Sequence, residues 1–328
     1  MRKPYLSIII PAYNARETLG KLLESLQTSS YKNFEVIVGD DASNEQYLVG
    51  KGIKIVRLTH NKGPAAARNA AAKRAKGNVL VFLDADVTCY PDTLAKIAGK
   101  FKEDHDLTAI TGVWDKHQRT KSFFPQFKAL RDWSYWTNER DRDGYYYLFS
   151  TRIAAIRRDV FTRLGGFNEA FRQMEDVELT YRIAKRYAII FAPDVRVHHE
   201  FEGFWPIAKK YFWRSFYWTK LYGVRRKFDP VATTISETVT AVTGVGGIAV
   251  SGVGILLYFL LPFAWVRSVT LVAAAILLLF HLFFLRKFLW FCYREKGIGF
   301  VLKAIGTGLV LYSIILTGSL YYQVKKTI

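Results

Sequence analysis

Apolar and polar residues change rhythm repeatedly over the first two thirds of this chain. Leu6-Ser7-Ile8-Ile9-Ile10 is a short run rich in β-branched residues and reads as a buried strand. Over residues 15–27 the apolar positions Leu19, Leu22, Leu23 and Leu26 fall at helical spacing. Residues 34–38 and 53–58 read as further strands and residues 64–75 as an alanine-rich helix. Residues 79–83 read as a strand that stops at Asp84. Strands alternating with helices predict an α/β fold, a mostly parallel central sheet flanked by helices. In such sheets ligands bind outside the carboxyl ends of the strands.

The rhythm ends near Phe228. Residues 238–266, 268–285 and 304–324 contain no charged side chain. A bilayer core takes roughly 20 apolar residues as helix, so these stretches predict a transmembrane region of two to three spans. Their expected limits are about 238–264, 268–285 and 304–324. Glycines 244, 246, 247, 252 and 254 in the first suit close packing of helices in lipid. Buried helices of a second soluble domain are the other reading, and three uncharged stretches in succession argue against it. Arg225-Arg226-Lys227 precedes the first span, and Arg286, Lys287, Arg294 and Lys296 follow the second; Arg267 alone marks the turn near Pro262. The excess of positive charge places both flanks in the cytoplasm. Lys325 and Lys326 would then lie outside, so a re-entrant or interfacial third segment stays open.

Charge and aromatic content sharpen this division. The chain has 47 Lys+Arg against 28 Asp+Glu, a net charge of +19, and 16% aromatic residues. Such a balance allows nucleic acid, anionic lipid or phosphorylated substrates as partners. Residues 203–228 hold seven basic side chains and no acidic one, interleaved with Phe204, Trp205, Tyr211, Phe212, Trp213, Phe216, Tyr217 and Trp218. That pattern predicts one or two helices lying in the headgroup layer, against membrane lipids. Residues 122–136 carry a similar aromatic stripe and read as a second interfacial helix or as core packing. The expected organisation is therefore an α/β domain over 1–202, interface helices over 203–229 and a transmembrane region over 230–328. The basic charge has a membrane explanation, and no nucleic-acid partner is expected. Cys89 and Cys292 offer neither a disulfide framework nor zinc spacing. The opening apolar run is too short for a signal peptide, so the first domain is expected on the cytoplasmic side of a multi-pass cell-membrane protein.

The strand ends carry the candidate chemistry. Asp84-Ala85-Asp86 follows the strand over 79–83 directly. Two carboxylates one residue apart at a strand's carboxyl end can converge on Mn²⁺ or Mg²⁺ with positions left for phosphate oxygens. Asp40-Asp41 ends the strand over 34–38 on the same edge, where a carboxylate can accept from a base N–H or a ribose hydroxyl; Asp41 and Ser43 also suit a turn or cap. Pro11-Ala12-Tyr13-Asn14 ends the opening strand there too, with Tyr13 free to border a base or simply to form a turn. Asn61 to Asn69 leads into a helix with Pro64 in its first turn and Arg68 placed to reach a phosphate or brace a carboxylate.

In this order, these motifs resemble family 2 of the inverting glycosyltransferases, whose nucleotide-sugar-binding fold is called GT-A. The resemblance extends through Ala155-Ile156-Arg157-Arg158, Gly165-Gly166-Phe167-Asn168-Glu169, Glu175-Asp176-Val177-Glu178-Leu179 and Arg182. It covers about residues 5–200. It implies that Pro11 and Tyr13 border the nucleobase, Asp41 binds it, and Arg68 supports the diphosphate. Asp86 would be the principal metal ligand, and Asp84 would face the ribose or the metal's water shell. Glu175 would lie at the substrate beside Asp176, the general base. A late histidine often completes the metal site of such enzymes. Here His198 and His199 both qualify, and strand alternation, which puts His199 on the face of Val195 and Val197, favours His199.

The implied activity is transfer of a sugar from a nucleotide-sugar, by family habit a UDP-sugar, to a hydroxyl of a lipid-linked or glycan acceptor. A polyprenyl-phosphate glycosyltransferase is the alternative enzyme, but its acceptor is already ionised and needs no base such as Asp176. Val87-Thr88 after Asp86 also departs from the Leu-Gln usual in those synthases. A processive polysaccharide synthase would carry a Gln-x-x-Arg-Trp motif, which the chain lacks. A non-catalytic basic membrane-associated module leaves the aligned strand-end motifs unexplained.

Overall fold

The computed structural model describes residues 4–47, 50, 52–139, 147–225, 235–260 and 264–327. Two compact units divide the chain, 1–201 and 202–328. In the first, the elements run β1 (Leu6–Ala12), α1 (Arg16–Gln27), β2 (Phe34–Asp40), β3 (Ile53–Arg57), α2 (Pro64–Ala72), β4 (Val79–Leu83) and β5 (Val87–Cys89). They continue α3 (Thr93–Glu103), β6 (Ala109–Trp114), α4 (Phe123–Ser134), β7 (Ile153–Arg157), α5 (Arg158–Arg163), α6 (Glu175–Ala184) and β8 (Ile189–His199). The strands form one sheet in the order β3-β2-β1-β4-β7-β6-β8-β5. β1 runs parallel to β2 and β4, and β2 parallel to β3. β7 is antiparallel to both β4 and β6, β6 is parallel to β8, and β5 is antiparallel to β8.

Burial on both faces explains the unbroken apolar run of β1. Leu6, Ile8 and Ile10 join the core shared with Leu19, Leu22 and Leu26 of α1. Ile9 points the other way, toward Ile37, Leu80, Phe82 and the alanines of α2. Those alanines let α2 lie close on the sheet. At Gly39 of β2, an added Cβ would stand 2.1 Å from the carbonyl oxygen of Ala67. Residues 122–136 take the core alternative: Phe124, Phe127 and Leu130 of α4 are buried, as is Trp136 in the π-helical turn Tyr135–Glu139.

The order of strands demands curvature. β4 and β5 are joined by Asp84-Ala85-Asp86 alone, yet β7, β6 and β8 lie between them. A flat sheet would part them by about 19 Å, four strand spacings, whereas the connection from Leu83 to Val87 reaches at most about 14 Å. The sheet therefore curls, and an irregularity in register between Thr111 and Val113 of β6 marks the bend.

The second unit contains α7 (Phe204–Arg225), α8 (Ile235–Leu260), α9 (Ala264–Lys296) and α10 (Ile298–Thr327). Among the described residues, three of its helices are long and apolar enough to cross a membrane: Glu237–Leu260, Ser268–Lys296 and Ile298–Lys326. α9 and α10 extend past the limits expected from sequence. Arg226, Lys227 and Pro262 lie outside the described residues. Gly244 lies against His281, Gly247 against Leu278 and Gly254 against Thr270, so α8 and α9 pack antiparallel with close backbones. His281 Nδ1 donates to the carbonyl oxygen of Thr240 at 2.8 Å. Residues 204–225 form one helix. Its Phe212 and Phe216 face Tyr321 of α10, while Trp205, Lys209, Lys210, Arg214 and Lys220 are exposed.

Candidate active site

The parallel strands β1, β2 and β4 end on one edge, and their loops interlock there. After β1, the Asn14 N–H donates to Ser43 Oγ at 3.0 Å, and Asn44 N–H donates back to Asn14 Oδ1 at 2.9 Å. Tyr47 ties in the same loops, with its hydroxyl 2.7 Å from Ser43 Oγ and accepting from Ala15 N–H. Tyr13 is left half exposed beside them, at 50%. Asp40 lies inside β2, pairs with Arg57 at 3.2 Å and caps the turn through Ser43 N–H. Asp41 is buried, and its two oxygens accept the backbone N–H groups of Lys62 and Gly63, each at 2.8 Å. It thus folds the 61–63 loop back onto the end of β2, where Gly63 (φ 95°) starts α2.

Pairing of β5 with β8 brings the carboxylate motif to the histidines. Val87, next to Asp86, pairs with His199, and Thr88 pairs with His198. The register puts Asp86 Oδ2 3.2 Å from His199 Nε2. His198 turns away and meets Glu200 at 2.8 Å. The Asp86 carboxylate is 51% exposed and the His199 side chain 12%, so the pair opens on one side only.

Arg68 joins this edge to the far half of the domain. It is almost fully buried, and its two terminal nitrogens divide between carboxylates, NH2 to Asp84 Oδ1 and NH1 to Glu175 Oε1, each at 2.7 Å. Burial alone would push the guanidinium pKa down; the charges of Asp84 and Glu175 outweigh it and hold the group above its ordinary value. Glu175 and Asp176 open α6. Asn69, the next residue of α2, clasps the segment leading to them. Its Nδ2 donates to the Phe167 carbonyl at 2.8 Å and its Oδ1 accepts the Phe167 N–H at 2.9 Å. Arg182 of α6 closes the same turn from below, donating to the carbonyls of Leu164 and Gly166. Asp84, Arg68, Glu175 and Asp176 thus form one connected chain. Of the two roles expected for Arg68, reaching a phosphate or bracing a carboxylate, the second is realised here, and the sequence named neither Asp84 nor Glu175 as its partner.

Backbone strain collects around the same residues. Among the described residues, the non-glycine positions with positive φ are Asn14 (49°), Ala42 (61°) and Met174 (67°). They adjoin Tyr13, Asp41 and Glu175. Left-handed backbone at such residues costs of order 1–3 kcal/mol and concentrates at functional sites.

A mostly parallel sheet with its loops interlocked on one edge and an acidic pair after β4 is a GT-A type glycosyltransferase fold. Residues 7–165 match the description Glycosyl transferase family 2, so the chain carries a glycosyltransferase domain of that kind. A glycosyltransferase of Haemophilus influenzae is 28% identical over 187 residues, 54% of this chain and 61% of the relative. An Escherichia coli relative, WfaP, named UDP-Glc:alpha-D-GlcNAc-diphosphoundecaprenol beta-1,3-glucosyltransferase, is 41% identical over 87 residues, 25% of this chain and 35% of its own. The chain thus spans less than two thirds of either relative. Among solved structures, the mannosyltransferase PcManGT from Pyrobaculum calidifontis, in complex with GDP-Man and Mn2+, shares the fold at TM-score 0.56 and 18% identity. That alignment covers 98% of this chain and 88% of that one.

Proposed function

We propose that this enzyme moves one sugar, with inversion, from a nucleotide-sugar to a hydroxyl of a lipid-linked or glycan acceptor. The observation that carries the reading is the Asp84–Arg68–Glu175 bridge, which fixes the donor-side motif and the Asp176 segment in one frame. The acceptor oxygen attacks the anomeric carbon while Asp176 takes its proton. The bond from that carbon to the diphosphate oxygen breaks, and the electron pair leaves with the nucleoside diphosphate. Pro11 and Tyr13 border the base. Asp41, whose oxygens keep acceptor capacity beyond their two amide bonds, receives a base N–H.

The residues present fit a divalent cation. Asp86 Oδ2 and His199 Nε2 are an oxygen and a nitrogen donor facing each other at 3.2 Å. Groups of three or more His, Cys, Asp or Glu placed for a metal do not occur among the described residues, so a cation held by this pair would draw its remaining ligands from diphosphate oxygens and water. Mn²⁺ or Mg²⁺ held there would neutralise charge on the departing diphosphate. The donor and diphosphate-lipid acceptor in WfaP's name, and the GDP-Man and Mn2+ of PcManGT, support this assignment. The apolar helices of the second unit would tether the enzyme to the cell membrane, with the basic C-terminal end of α9 on the cytoplasmic side.

A thermal-shift screen of UDP-, GDP- and dTDP-sugars, with and without Mn²⁺, tests the reading, because a ligand of the native state raises its melting temperature. One donor class should stabilise the protein, more so with Mn²⁺. Asp176→Asn should keep that shift and lose sugar transfer. No shift with any donor would overturn the proposal.

A further inference from the structure

Histidines that ligate metals usually donate their second ring N–H to a carboxylate or carbonyl, which fixes the ring's orientation. His199 has no such partner: its Nδ1 is buried and makes no hydrogen bond among the described residues. Aromatic rings hold the imidazole instead. Trp114, the last residue of β6, stacks on it with centroids 5.1 Å apart and planes at 30°. Phe201 meets it edge-on at 4.7 Å, and Phe201 and Trp114 meet each other edge-on at 5.2 Å. The three rings close on one another, so His199 cannot turn without displacing a neighbour.

The clamp is itself anchored. Trp114 is held from beyond by Arg152, whose guanidinium carbon lies 4.4 Å from the Trp114 ring and 4.6 Å from the Trp136 ring. Phe201 is fixed by its backbone, whose N–H donates to Gln118 Oε1 at 2.8 Å, while Gln118 Nε2 donates to the His199 carbonyl at 2.7 Å. Chain order gives the reason for this construction. β8 delivers His199 at its last residue, where pairing with Val87 fixes the backbone and the ring packing orients the side chain.

We propose that Trp114, backed by Phe201, is the positioning residue of the metal site, aiming His199 Nε2 at the cation by ring packing in place of a hydrogen bond. The inference rests on the reading of His199 as a ligand. Loss of an outer partner that orients a ligand typically weakens metal binding about 10- to 100-fold. An aromatic pair contributes less than an ionic partner, which puts the effect here near the lower end, roughly ten-fold.

The experiment is a Mn²⁺ titration followed by electron paramagnetic resonance, on the full chain held with UDP, or with GDP where the donor screen selects it. Trp114→Leu keeps apolar bulk and removes the ring face; Trp114→Phe keeps a face. The leucine variant should bind Mn²⁺ about ten-fold more weakly and the phenylalanine variant within about three-fold of the native protein. Nucleotide affinity without metal should be unchanged in both. Should Trp114→Leu fail to fold, Phe201→Leu removes the other wall and should weaken Mn²⁺ binding in the same direction. Native Mn²⁺ affinity in Trp114→Leu, alongside weak binding in His199→Ala, overturns the clamp alone. Native affinity in His199→Ala overturns the ligand reading and the clamp with it.

Discussion

Replacing Arg68 by methionine removes the guanidinium and keeps most of the side chain's volume. Two charge-assisted hydrogen bonds are lost, and their costs differ because the two partners are not equally wet. Asp84 is 32% exposed and can turn to water, so its arm is worth about 1 kcal/mol. Glu175 is 10% exposed and is left as a buried charge without its cation, a loss of about 3 kcal/mol. Together these give about 4 kcal/mol, or roughly 10 °C in melting temperature for a unit of this size. Arg68→Lys keeps the charge but cannot fork between both carboxylates, so it should recover less than half of the loss. Thermal unfolding of the detergent-solubilised enzyme, with nucleotide affinity measured in parallel, separates the brace from a direct phosphate contact. A native melting temperature in Arg68→Met combined with weak nucleotide binding would refute the reasoning and return Arg68 to the diphosphate.

Three further outcomes are expected. Gly39→Ala drives a methyl group into the Ala67 carbonyl and should cost at least about 2 kcal/mol, read as a lower melting temperature and reduced transfer as α2 shifts under Arg68 and Asn69. Asp115 is pushed up by burial but held lower overall by the His117 N–H, the Tyr90 hydroxyl and the His117 ring. A depressed carboxyl pKa stabilises the fold above the unfolded-state value and loses that contribution in acid, so Asp115→Asn should flatten the fall in stability below about pH 4. Met174→Gly relieves the left-handed strain before α6 while loosening the unfolded chain, so stability should move by less than about 1 kcal/mol. Its turnover should nevertheless drop, because Glu175 and Asp176 lose their fixed approach; unchanged turnover would mean the strain is incidental.

What could be read from sequence was local. The strands ending at Ala12, Asp40 and Leu83 announced themselves by apolar runs, and their parallel order followed from the helices between them. The acidic, aromatic and basic strand-end residues were therefore placed on a common edge in advance. The antiparallel β7, wedged between β4 and β6, carries no sign in Ile153-Ala154-Ala155-Ile156-Arg157 of which neighbours it takes. The partnership of Arg68 with Glu175 was equally hidden, since 107 residues separate them and nothing near either names the other. Trp114 and Phe201 look like ordinary core aromatics in the sequence. Phe201 follows His199 by two residues, and Trp114 reaches it because β6 pairs with β8, Trp114 opposite Val197.

That curl also explains why the acidic motif divides its labour. Asp84 leaves β4 still inside the sheet's edge and within reach of α2, so it pairs with Arg68. Asp86 lies past the turn, against β5, and β5 has no stable place except beside β8, where Val87 and Cys89 are buried with Val197. A three-residue strand contributes little pairing energy of its own, so the burial of those side chains must hold it there. The same apolar contacts that seat β5 therefore set the spacing between Asp86 and His199. A separation of 3.2 Å between residues 113 apart in sequence is a consequence of core packing at Val87, one residue from Asp86, and Val197, two from His199. By this logic, polar substitution at Val87, which touches neither donor nor acceptor in the proposed mechanism, should disturb the Asp86–His199 pair before it disturbs Asp84.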